Sequence, residues 1–221
     1  MKSLINLLIL LAMCAGAAPL PAQQLRLIAG VNITDMYYHD KAKNENMQYT
    51  SKQGIHVGLG YERILSPHFS VEGRALITTK GAIIATWDEQ DLSMLENRTH
   101  FVYLEVPLSA KLYHDFGGAV LYAKAGISGS VAMVGRSAFT LSGVQGEEQT
   151  YEEAMVWGEK ENPFSFRRWD YGLLVGVGAE AGPVLLEVSC QWGEANLFVN
   201  SKREAYHAVL AFTAAWRLWG G

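Results

Sequence analysis

The stretch Arg168-Trp169-Asp170-Tyr171-Gly172-Leu173-Leu174-Val175-Gly176-Val177-Gly178-Ala179-Glu180 separates into two sets when every second residue is read. Trp169, Tyr171, Leu173, Val175, Val177 and Ala179 form one set; Asp170, Gly172, Leu174, Gly176, Gly178 and Glu180 form the other. Alternate side chains of a strand point to opposite faces. One face is therefore apolar with aromatics at one end, and the other is mostly glycine with an acid at each end. A strand of a membrane β-barrel has this pattern, with lipid outside and a polar lumen inside.

Seven further segments repeat the alternation. In Leu25 to Ile33, Leu25, Leu27, Ala29, Val31 and Ile33 oppose Arg26, Gly30 and Asn32. In Gln53 to Leu65, Ile55, Val57, Leu59 and Tyr61 oppose His56, three glycines and Glu62. In Phe69 to about Ile84, Phe69, Val71, Ala75 and Ile77 oppose Glu72, Arg74, Thr78 and Lys80. In Thr99 to Tyr113, Val102 to Leu112 supply an apolar face opposite Tyr103, Glu105, Ser109 and Lys111, and Pro107 predicts a bulge or kink because it cannot donate to a ladder. Ala119 to Met133, Val184 to about Ala195 and Glu204 to Trp219 complete eight strands. The stretch from about Val134 to Arg167 reads as the longest irregular connection and is acidic.

The connections alternate long and short along the whole chain. Ser66-Pro67-His68, His114 to Gly118 and Ala181-Gly182-Pro183 are the short ones. In an up-and-down barrel this puts every long loop at one end, the asymmetry of outer-membrane barrels with short periplasmic turns and long extracellular loops. Aromatics on the apolar parity sort by end: Trp169, Tyr171, Trp192 and Tyr206 near long loops, and Tyr61, Phe69 and Trp216 near short turns. Two membrane-interface girdles would have this distribution. Charges of both signs recur on the polar parity, and Glu62, Glu72, Arg74, Glu105, Lys124, Glu180 and Glu187 are the candidate lumen network.

Met1-Lys2, the apolar run Leu4 to Ala12 and the small residues up to Ala22 read as a signal peptide over residues 1–22, with the barrel domain over 23–221. After cleavage only Cys190 remains, so no intramolecular disulfide forms. A net charge of −4 gives no reason to expect a nucleic-acid partner. No phosphate loop, zinc spacing or nucleophile elbow is present, and no cofactor is expected.

The chain resembles the PorT-like family of outer-membrane β-barrel proteins. The resemblance is carried by Ala29-Gly30-Val31-Asn32, Gly54-Ile55-His56-Val57-Gly58-Leu59 and Thr79-Lys80-Gly81. Tyr103-Leu104-Glu105-Val106-Pro107-Leu108 and Asp170-Tyr171-Gly172 with Gly176-Val177-Gly178 complete it. It implies an integral outer-membrane barrel without catalytic residues; some members act as accessory components of a protein secretion machine. The expected class is all-β, an eight-stranded antiparallel up-and-down transmembrane barrel in the cell outer membrane, in contact with its lipid. The expected function is structural or partner-binding, through long loops that engage envelope or secretion-system proteins.

Two alternatives belong to other classes. A soluble lipocalin-like barrel also alternates but turns its apolar set inward around a ligand. An outer-leaflet lipid-modifying enzyme needs a nucleophile and a base near the outer surface, for which His207 and Ser201 are the candidates. A pore is a third possibility, opposed by the small interior of eight strands.

Overall fold

The computed structural model describes residues 23–38, 47–88, 93–142, 148–159, 165–199 and 204–220. Residues 1–22, read above as a signal peptide, and Ser201 lie outside them. The strands are β1 (Gln23–Tyr38), β2 (Met47–Ser66), β3 (Phe69–Lys80), β4 (Ala82–Asp88), β5 (Ser93–Asp115), β6 (Val120–Ser142), β7 (Glu148–Ala154), β8 (Trp169–Ala181), β9 (Val184–Gly193) and β10 (Ala205–Trp219). Eight of them close a ring in the order β1-β2-β3-β5-β6-β8-β9-β10, every pair antiparallel, and β10 returns to β1 through Trp219↔Leu25 down to Ala205↔Tyr38. Closure leaves the ring with no free edge.

The face assignment follows the pleat. Leu173, Val175 and Val177 are exposed, whereas Leu174 between them and Asp170 ahead of them are buried. The same alternation runs round the ring, so the outer wall is a continuous apolar surface including Val57, Leu104, Leu121, Val188 and Phe212. A contiguous apolar surface of this extent needs lipid to cover it. The soluble arrangement, with the apolar set inside, has the opposite faces.

At one end the ring closes with tight turns. Ala181 pairs with Val184 across Gly182-Pro183, where Gly182 takes a positive φ of 59° that a β-carbon would strain. Ser66 pairs with Phe69 across Pro67-His68, and Phe116 and Ala119 close the third turn.

At the other end the strands run on past the ring. β3 and β4 are one wall strand interrupted at Gly81: both pair with β2 on one side and β5 on the other. β5 and β6, each 23 residues long, continue to Ser93 and Ser142, and β7 adds to the far edge of β6. This ledge occupies part of the stretch expected to be irregular between Val134 and Arg167. The alternation fails to announce it because β6 carries a bulge: Val102 pairs with Val134 but Tyr103 pairs with Ala132, leaving Met133 and Val134 both exposed and reversing the parity beyond.

Pro107 also departs from expectation. It stays in register, between Gly73↔Leu108 and Leu76↔Glu105, and only the two intervening pairs with β3 are missing. The bulge of β5 against β6 lies five residues away, at Val102/Tyr103.

Candidate functional site

Alternation sends the even residues of β3 and the odd residues of β5 and β9 into a lumen too narrow for much side chain. Gly30 shows the limit: a β-carbon there would press on the His56 ring and the Phe212 carbonyl. What fills the lumen is charge, arranged in tiers.

The tier nearest the short turns is built on Glu62. Its carboxylate accepts from Ser70, Tyr113 and Lys111 (3.0 Å) and pairs with Arg26 at 3.2 Å. Arg26 also reaches Glu180 at 2.7 Å and the Gln24 side chain. Lys111 bridges upward to Glu72 at 3.0 Å. The middle tier is built on Glu187. Arg74 donates to both its oxygens at 2.8 and 2.6 Å, Lys124 donates at 2.7 Å and the Tyr122 hydroxyl at 2.7 Å. Arg74 also donates to Glu72 at 2.8 Å. Ile28, Leu76, Leu185 and Ala215 pack beside Tyr122 and exclude water from this part of the lumen.

A cavity of about 50 Å³ lies above, lined by Asn32, His56, Thr78, Gln191 and Thr213 among others. It has room for a few waters and no more. The upper tier closes it: Lys80 pairs with Glu105 at 2.8 Å and with Asp170 at 3.7 Å, and His207 Nδ1 lies 3.1 Å from Asp170. Over this sits an apolar cap. Phe101, buried on β5, meets Phe166 (5.4 Å between centroids), Trp157 (6.1 Å) and His207 (5.8 Å). Met36, Met155, Leu197 and Phe198 complete the cap. The Trp157↔Phe166 bridge joins segments 155–159 and 165–169, and the Phe166↔Phe198 bridge ties the second of them to residues 195–199, which folds the cap into the mouth.

Of the seven charges marked by parity, the structure joins Glu62, Glu72, Arg74, Lys124, Glu180 and Glu187 into one connected set and places Glu105 apart from them, in the upper tier across the cavity. Arg26 and Lys111 complete the connected set, and Lys80 and Asp170 complete the upper tier; each lies on the polar parity of its strand. His207 is buried in the lumen against Asp170 and Tyr103, away from the outer surface where a lipid-modifying base would have to be. The apolar-parity aromatics lie on the outer wall: Trp169, Tyr171, Trp192 and Trp216 are exposed, and Tyr61, Phe69 and Tyr206 are half-buried. Cys190 is half-exposed on the same wall.

The ledge has two dissimilar faces. Leu95, Leu141 and Tyr151, with half-buried Phe139, form an apolar patch on the face continuous with the barrel interior. Lys52, Arg98, His100 and Arg136 lie on the outer face in a groove of about 530 Å³. Neither was foreseen.

Among solved structures, the fold is similar to OprG of Pseudomonas aeruginosa, at 10% identity and a TM-score of 0.52, covering 91% of this chain and 98% of that one. It is also similar to Ail of Yersinia pestis, at 12% identity and a TM-score of 0.41, covering 89% and 99%. Neisserial surface protein A gives 11% identity and a TM-score of 0.41, covering 88% and 97%. No curated protein matches the chain. The family model described as outer membrane protein beta-barrel domain matches residues 22–199. An apolar wall, a closed antiparallel ring and this match together place the chain in the outer membrane protein beta-barrel domain family.

Proposed function

We propose that this protein is a non-conducting, non-catalytic barrel of the outer membrane that works by binding a protein partner through its extracellular ledge. The apolar patch of Leu95, Leu141 and Tyr151 carries the reading. These side chains are 43%, 45% and 59% exposed. Leu95 stands seven residues beyond Val102, where the outward apolar series of β5 ends, or roughly 20 Å along the strand. Lipid does not reach that far, so the patch needs another apolar surface. Among the described residues the outer edge of β7 has no strand partner, and β7 carries Glu148, Glu152 and Glu153, charges that guard such an edge against indiscriminate pairing. The tiers below the ledge serve as a plug, and the aromatics at the two ends of the wall serve as interface anchors. The sequence resemblance to the PorT-like family, some of whose members are accessory components of a secretion machine, supports this reading.

The test is site-specific photocrosslinking in intact cells from Leu141 and Tyr151, with Phe116 in a short turn as the comparison. A discrete adduct from the ledge positions alone, lost in a Leu95→Ser/Leu141→Ser variant, supports the proposal. Recovery of the barrel alone from every position rejects it.

A further inference from the structure

The outer face of the ledge carries a second surface of different chemistry. On β5, Thr99 and Phe101 point inward and are buried, so Arg98 and His100 point outward. His100 pairs across with Arg136 on β6, and two residues below them Val102 pairs with Val134. His100 and Arg136 therefore sit one outward position above the top of the lipid-facing wall, and Arg98 one position further. Lys52 joins them from β2: its ammonium donates to the Thr99 carbonyl at 2.9 Å and lies 3.2 Å from His100 Nδ1. That geometry uses two of its three protons at most.

The groove is short of negative charge at this end. Arg98 is paired with Glu96, while Glu148 and Glu152 stand on β7, at the opposite side of the groove. Glu152 is opposite Ala138 rather than Arg136. Burial and the nearby Arg98 pull the Lys52 ammonium below its ordinary pKa. Burial, Lys52 and Arg136 do the same to the His100 imidazole. In both groups burial is the larger cause, and the neighbouring positive charges act in the same direction.

We infer that Lys52, His100 and Arg136, with Arg98 beside them, form a binding site for the phosphate headgroup of an outer-leaflet lipid. Charge complementarity and height on the wall decide for a lipid over a soluble anion. A phosphate in the groove is bound by donors from three strands, and an acyl chain leaving it lies directly on Val102, Leu104 and Val134. Arg supplies the planar donor fork that phosphate oxygens accept, and Lys supplies a compact charge.

The experiment titrates the folded protein in neutral detergent with bis-phosphorylated lipid A and with the same lipid after dephosphorylation, and reads bound lipid by native mass spectrometry. The phosphorylated form is expected to bind on the order of tenfold more tightly, and Lys52→Gln/Arg136→Gln to lose that preference while retaining heat-modifiable gel mobility. Arg136→Gln alone, at an exposed position, is expected to lose about threefold and keeps the test open if the double variant does not fold. Glu152→Gln is expected to move the preference the other way. Equal affinity for both lipids, or an unchanged preference in Arg136→Gln, would overturn the inference. Displacement of the lipid by inorganic pyrophosphate at comparable concentration would overturn the lipid assignment in favour of a soluble phosphate.

Discussion

Arg74 on β3 and Glu187 on β9 meet in a two-point ion pair, 2.8 and 2.6 Å, from strands that stand opposite each other on the eight-strand ring. The pair ties the two walls together across the lumen. Both groups are almost fully buried, and among the described residues they are compensated by each other and by Glu72, Lys124 and Tyr122. Glu187→Ala leaves Arg74 and Lys124 facing each other without their shared carboxylate. It is expected to cost about 3–5 kcal/mol, the cost of breaking a buried pair on one side. Replacing Arg74, Lys124 and Glu187 together with apolar residues of similar volume is expected to cost less than the single change. Urea unfolding from lipid vesicles measures both.

The lumen tolerates little added volume. Gly30→Val places branched carbons where the His56 ring and the Phe212 carbonyl already are. About 1–3 kcal/mol of destabilisation is expected, from overpacking. A shift of the unfolding midpoint to lower urea measures it, and an unchanged midpoint would mean that β1 and β2 sit further apart.

Sealing has two parts, the apolar cap and the charge tiers. Phe101→Ala and Phe166→Ala remove the cap rings and are expected to lower stability by about 3 kcal/mol or more each. Neither is expected to open a conducting path, because Lys80, Glu105 and Asp170 still close the lumen below. Planar-bilayer recording tests this: a reproducible single-channel conductance in either variant would show that the tiers do not seal.

Val175 lies halfway along β8 on the outer wall and is 43% exposed. Val175→Arg is expected to cost about 2–4 kcal/mol in vesicles, the midplane value for a cation on a lipid-facing wall. Arginine at Val184, next to a short turn, is expected to cost about 1 kcal/mol or less. Equal costs at the two positions would argue against a membrane gradient along the wall.

How far the sequence could be read follows from the same physics. Within the membrane every strand has a lipid side and a lumen side, so Trp169 to Ala179 and their counterparts alternate cleanly. Beyond the membrane that contrast is gone. Ser93-Met94-Leu95-Glu96-Asn97-Arg98 and Glu148 to Ala154 have no period to follow, and the bulge at Met133/Val134 reverses the parity at the point where the ledge begins. Parity also marks the lumen charges without naming their partners. Asp170 and His207 meet although β9 lies between their strands, and Lys80 reaches both Glu105 and Asp170. Those contacts depend on the ring order and the strand register, which alternation within one strand does not contain.

The alternating apolar set of these strands faces lipid, and the charged set faces a sealed interior. Nitroxide side chains placed singly at Leu173, Leu174, Val175 and Val177 of β8, in vesicles and with Cys190→Ser as background, test this arrangement. Oxygen, which partitions into lipid, should reach labels at 173, 175 and 177 readily and the label at 174 poorly, while a water-soluble nickel complex should reach none of the four. High collision rates with the nickel complex at 173, 175 and 177, or greater oxygen access at 174 than at its neighbours, would mean that the faces are the other way round.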